Sequence, residues 1–269
     1  MIINHNMRAM NAQRNMGINV GNAGKSMEKL SSGLRINRAG DDAAGLSISE
    51  KMRAQIRGLD QASSNAQDGI SMIQTAEGGL NETHSILQRM RELATQASND
   101  TNVTADRTAI KDELDALSSE VTRIAQQTEF NTQTMLSTNT TINLQVGANC
   151  GQSIAVTFSA MNATSLTVSS IDVTDHAKAT AAISTINIAI EAVSKERSKY
   201  GAVQNRLEHT IANVENSSEN LQSAESRIRD VDMAKEMMAY SKNNILQQAA
   251  QAMLGQANQS TQGVLQLLQ

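Results

Sequence analysis

Proline is missing altogether from these 269 residues, and so is tryptophan. Only Phe130, Phe158, Tyr200 and Tyr240 are aromatic. Ordinary proline usage is about 5%, so complete avoidance predicts helix interiors that can neither give up a backbone donor nor take a ring clash. Long uninterrupted helices follow. Aromatic side chains bring about 150–250 Å² each to a core, and a chain that relies on Ile, Leu, Val, Met and Ala instead is expected to form thin bundles rather than a thick globule.

Cysteine is nearly absent too. Cys150 stands alone, which excludes an intrachain disulfide, and no second Cys or dense His cluster completes a metal site; it reads as a small buried or loop residue. A basic excess is lacking: the net charge of -4 argues against a general binder of phosphate backbones, so nucleic acid is not an expected partner. No run of about 18 apolar residues occurs, and the start from Met1 to Asn6 has no apolar stretch behind a basic one, so neither a membrane span nor a Sec-type signal is expected.

What is present is helical periodicity. From Met52, steps of four and three select Ile56, Leu59, Ser63, Ala66, Ile70, Ile73, Glu77, Leu80, His84, Leu87, Arg91 and Ala94, a near-heptad seam sustained for about six heptads. A second seam reads Ile110, Leu114, Leu117, Val121 and Ile124, after a polar link at Asn99 to Thr104. The third runs through Ile183, Ile186, Ile190, Val193, Arg197, Tyr200, Gln204, Leu207, Ile211, Val214, Ser218, Leu221, Glu225 and Ile228. Helices over 45–98 and 178–231 would each be roughly 80 Å long at ~1.5 Å per residue, and their matching lengths predict side-by-side pairing, with the helix near 105–130 covering half of it.

Between these helices the rhythm changes. Ile142, Leu144 and Val146 alternate, as do Ile154, Val156 and Phe158, then Leu166 and Val168, with Gly147 to Gly151 between the first two runs; this predicts a β-hairpin within a small β region at 137–175. At the N-terminus Ile3, Met7, Met10, Arg14, Gly17, Gly21 and Gly24 keep the four-three spacing, although each interior Gly costs a helix about 1 kcal/mol relative to Ala. At the C-terminus Leu246, Ala250, Met253, Ala257, Ser260, Val264 and Leu267 form another apolar face. Two amphipathic ends with so little to cover them are expected to order against a partner. The fold class is therefore mainly α, a long-helix bundle with terminal coiled-coil helices and a small β-hairpin.

No constellation points to catalysis, and no cofactor is expected. Gly17 to Ser26 (GINVGNAGKS) ends like a phosphate-binding loop, but Asn19 stands where the first Gly is required and no strand precedes it, so a glycine-lined helix contact is the better reading. Asp41 and Asp42 before Gly45 lack the acidic spacing of an EF-hand and suit a helix N-terminus, where carboxylates offset free amides and the dipole. His5, His84, His176 and His209 are scattered, with no nucleophile motif around them. The run Gln88-Arg89-Met90-Arg91-Glu92-Leu93 fits a solvated face beside a core seam as well as it fits a protein-binding surface.

Three segments closely resemble flagellin, the subunit of the bacterial flagellar filament. They are Met27 to Leu46 (MEKLSSGLRIN followed by RAGDDAAGL), Gly201 to Leu207 (GAVQNRL), and the stretch from Ser226-Arg227-Ile228-Arg229-Asp230 to Val264-Leu265-Gln266-Leu267-Leu268. The resemblance covers essentially the whole chain and is least distinctive near 137–175. It implies an inner domain from 1–39 paired with 229–269, an outer helical domain from 40–228, and a connecting spoke near 34–46, with none of the large outer insertions that many flagellins carry.

The resemblance further implies a structural, non-enzymatic subunit that polymerises into an extracellular filament for swimming. Its expected partners are copies of itself, the flagellar cap, hook–filament junction proteins and an export chaperone, with unfolded passage through the type III apparatus and no membrane or nucleic-acid partner. The polymerisation residues it implies are Ile3, Met7, Met10, Leu246, Ala250, Met253, Ala257, Val264, Leu267 and Leu268. In flagellins recognised by Toll-like receptor 5 the matching positions are Arg89 and Leu93, with Glu113 on the following helix and Gln88, Arg91, Glu92 and Arg206 as neighbours in the same contact.

Overall fold

The structure, a computed structural model, describes the backbone of residues 6–267 and the side chains of residues 6–259. Five helices carry the described chain: α1 (Met7–Ser32), α2 (Ala43–Ala97), α3 (Thr104–Gln127), α4 (His176–Arg229) and α5 (Met233–Leu267). Four short strands, β1 (Glu129–Phe130), β2 (Gln133–Thr134), β3 (Thr140–Gln145) and β4 (Ser153–Phe158), lie between α3 and α4. The chain divides into two compact units, residues 1–54 with 220–269, and residues 55–219.

In the second unit α2 and α4 run antiparallel in a constant register. The Ser218 hydroxyl donates to Asp60 Oδ1 at 2.9 Å, and the Arg91 guanidinium donates to Asn187 Oδ1 at 3.4 Å. Thirty-one residues separate Asp60 from Arg91, and 31 separate Asn187 from Ser218. Between these rungs Arg197 meets Glu77 at 3.5 Å. The core is the apolar stripe of each helix, with Leu80, Leu87 and Leu93 from α2, Leu114 and Val121 from α3, and Ile186, Val193 and Leu207 from α4, all buried. The Phe158 and Tyr200 rings meet at 5.4 Å between centroids, tilted by 57°.

The helix ends have identifiable causes. Asp42 Oδ1 accepts from Gly45 N at 2.9 Å at the start of α2, the predicted cap. Beside it Asp41 Oδ2 accepts from the backbone amides of Arg38 and Asn37, which hold its carboxyl below the usual range, the Arg38 amide most. At the other end of α2 the Arg107 guanidinium donates to Ala97 O at 3.1 Å, and His176 Nδ1 lies 2.6 Å from Ser98 O. Carbonyls left free by a helix terminus gain most from cationic donors placed there.

The β-hairpin pairs Ile142 with Val156 and Leu144 with Ile154, and it lies on α2. Gly58 and Gly69 make room for it: a Cβ on Gly58 would be 2.8 Å from Ala148 Cβ, and one on Gly69 would be 2.3 Å from Leu144 Cδ1. Cys150 is exposed in the connecting turn. Leu166 and Val168 do not continue the sheet. Both are buried, but Thr167 between them has φ 58°, which breaks an extended run. The first pair, β1 with β2, was not legible in advance; Asn131 and Thr132 at its turn have φ 49° and 65°, the left-handed geometry that a two-residue hairpin demands.

In the first unit α1 and α5 are antiparallel. The Asn6 side-chain amide donates to Ala257 O at 3.0 Å, and Val231 N donates to Gly33 O at 3.1 Å. Gly33, at φ 71°, ends α1 and returns its N–H to Lys29 O. The chain beyond it crosses the end of α4: Arg35 N donates to Arg229 O at 2.6 Å, and the Arg35 guanidinium donates to Ile228 O.

Candidate assembly and recognition surfaces

The covered face of α1 is Ala9, Ala12, Met16, Asn19, Ala23 and Ser26, again spaced by three and four. On α5 it is Tyr240, Asn243, Gln247, Ala250, Leu254 and Ala257. This seam is mostly small or polar, so the two helices approach closely but bury little apolar area. The greasier stripes read from the sequence lie outside it. Met7 is 68% exposed, Met10 53%, Leu246 40% and Met253 65%. Ala250 and Ala257 belong to the covered seam instead. Ile3 and Leu268, and the side chains of Val264 and Leu267, lie outside the described residues.

The glycine-lined contact expected at Gly17 to Ser26 is not made among the described residues. A Cβ at Gly17, Gly21 or Gly24 would meet nothing within 4 Å. These glycines share the uncovered side of α1 with Ile18 and Val20, which are also exposed. The stripe read from the sequence is thus the uncovered face of α1, while the covered face is carried by Ala, Asn and Ser, which give no hydrophobic signal.

In the second unit the Gln88 to Leu93 run is split between directions. Arg89 Nη2 meets Glu113 Oε1 on α3 at 3.0 Å, and Nη1 meets Glu92 Oε2 at 3.3 Å. These carboxylates, Glu113 first, raise the guanidinium pKa, so Arg89 is a fixed cation on the surface. Gln88 is exposed and lies within hydrogen-bond distance of His84. Arg91 turns the other way, to Asn187 on α4.

Two of the carried-over positions are placed differently from the rest. Leu93 is 2% exposed and belongs to the hydrophobic core, whereas Arg89 and Glu92 are exposed. Arg206 is exposed but does not neighbour the cluster. It lies 19 residues along α4 from Asn187, the partner of Arg91, or about 28 Å at ~1.5 Å per residue. The structure thus brings together Arg89, Glu92 and Glu113, with Gln88 close by and Arg91 on the adjoining face.

Residues 3–141 match the model of the bacterial flagellin N-terminal helical region, and residues 183–268 match that of the bacterial flagellin C-terminal helical region. The chain belongs to the flagellin family. A flagellin of Halalkalibacterium halodurans is 64% identical over 271 residues, and one of Bacillus subtilis is 53% identical over 303, with all of both chains covered in each case. The flagellar filament 33 kDa core protein of Treponema phagedenis is 50% identical over 285 residues, again across both chains. The crystal structure of Bacillus cereus flagellin superposes with a TM-score of 0.50 at 32% identity, covering 56% of this chain and 88% of that one. Only residues 142–182 separate the two matched flagellin regions, so this flagellin-family chain is a minimal form without a large outer domain, a structural subunit of a filament.

Proposed function

We propose that this subunit assembles with copies of itself through the uncovered faces of α1 and α5, in an extracellular filament that drives swimming. The observation that carries this reading is the mismatch within the first unit: small residues close the intramolecular seam, while Met7, Met10, Ile18, Val20, Leu246 and Met253 remain exposed. Each such side chain, once buried, contributes about 1.5–3 kcal/mol, so a few per subunit stabilise a long polymer. In this reading 1–39 with 229–269 forms the inner domain and 40–228 the outer one. Deleting 246–269 is expected to abolish seeded polymerisation while the 40–228 bundle stays helical by circular dichroism. Normal filaments from the truncated chain would refute the scheme. The cap, the hook–filament junction, an export chaperone and type III export complete the reading by family likeness.

A second reading is favoured by the Arg89, Glu92 and Glu113 cluster: the unassembled subunit is a ligand of Toll-like receptor 5. A preformed, exposed cation held between two carboxylates suits recognition by a partner with complementary charge. Arg89→Ala with Glu113→Ala should lower receptor signalling by the monomer at unchanged helicity. Equal signalling would discard this reading.

A further inference from the structure

The methionines are sorted by unit. Met72, Met90, Met135 and Met161, the four in residues 55–219, are all buried. In the terminal segments, Met7, Met10, Met27, Met233, Met237, Met238 and Met253 are exposed, seven of the twelve large apolar side chains exposed there among the described residues. Leu and Ile in these places would offer the same apolar area with no reactive atom. A thioether offers area that an oxidant can remove, since the sulfoxide is polar and chiral and no longer suits a dry contact.

We propose that the exposed methionines of α1 and α5 are an oxidation site at which peroxide holds the subunit in its unassembled form, an inference that rests on the assembly reading above. A sulfur lone pair attacks one peroxide oxygen; the S–O bond forms as the O–O bond breaks. Sulfur gives up two electrons, and the departing hydroxide takes the proton of the transferred oxygen and leaves as water. Each sulfoxide puts a strong acceptor where a neighbouring copy would bring apolar surface, so several together oppose docking. Subunits already assembled have these sulfurs covered and resist the reagent. The buried methionines of residues 55–219 keep the helical bundle intact throughout, so the oxidised subunit remains folded and fails only at its contacts. Reversal requires a dithiol-dependent reductant acting on the free subunit.

The test uses the full chain with Cys150→Ser, so that thiol chemistry does not contribute. Hydrogen peroxide is applied to monomer and to filament, sites are mapped by peptide mass, and the critical concentration for seeded assembly is measured. Faster oxidation of the seven exposed methionines than of Met72, Met90, Met135 and Met161, their protection in the filament, and a rise of about tenfold or more in the critical concentration are expected. A variant carrying Leu at all seven positions should assemble equally well before and after peroxide. An unchanged critical concentration for fully oxidised monomer, or equally fast oxidation of the buried four, overturns the proposal. Failure of untreated monomer to assemble at any concentration overturns the assembly reading, and this inference with it.

Discussion

Leu144 of β3 rests on the bare backbone of Gly69, where a Cβ would stand 2.3 Å from its Cδ1. Eleven residues earlier, at Gly58, the intruder would meet Ala148 Cβ at 2.8 Å and its Cα at 3.2 Å. The two clashes differ in kind. A leucine tip can rotate away, whereas an alanine and its backbone have nowhere to go. Since Ala also favours a helix over Gly by about 1 kcal/mol, Gly69→Ala should be close to neutral, and Gly58→Ala should cost about 1–3 kcal/mol as the hairpin turn is displaced. Urea unfolding followed by circular dichroism would separate them, and the reverse order would contradict this packing.

Leu93 and Arg89 are four residues apart yet have different consequences. Leu93→Ala leaves a cavity in a closed core and should cost about 2–5 kcal/mol. Arg89→Ala removes an exposed ion pair and should leave the melting temperature nearly unchanged. Any loss of receptor signalling in the Leu93 variant therefore has to be compared with its unfolding curve. Equal stability of the two variants would contradict the burial of Leu93.

Gly21 faces open space on α1. Gly21→Ala should stabilise the isolated helix pair by about 1 kcal/mol, seen as higher helicity on warming the monomer. If copies dock closely along the glycine side, the same substitution should also raise the critical concentration for assembly. A variant that is more helical and assembles unchanged would remove this face from the contact.

Burial, and after it the nearby charge of Glu196, push the Tyr200 hydroxyl pKa upward. The folded state therefore favours the protonated phenol, and the linked stability is present below the unfolded value of about 10 and is lost as pH rises through the folded one. Tyr200→Phe keeps the ring against Phe158 and should flatten the fall in stability above about pH 10, measured by urea midpoints across that range. Identical slopes for the two proteins would contradict the burial of the hydroxyl.

The long helices were legible because period and punctuation agree: the predicted ends at 45, 98 and 178 fall within two residues of the observed ones. The hairpin was legible from two alternating runs around Gly147 to Gly151. The register between helices was not, since periodicity on α4 says nothing of which turn of α2 it meets. Arg206, which the family resemblance put in the same contact as Arg91, lies 19 residues along α4 from Asn187, the partner of Arg91. Nor could apolar spacing find the α1–α5 seam, whose closeness comes from Ala9, Ala12 and Ala23 being small.

The crossing at Gly33 and Val231 has a mechanical consequence. Both breaks in the terminal helices occur at the same level, and each is tied to the other by main-chain hydrogen bonds. A tug on either extremity is thus shared by both strands at this knuckle, which flexes as a single articulation rather than fraying one leg at a time.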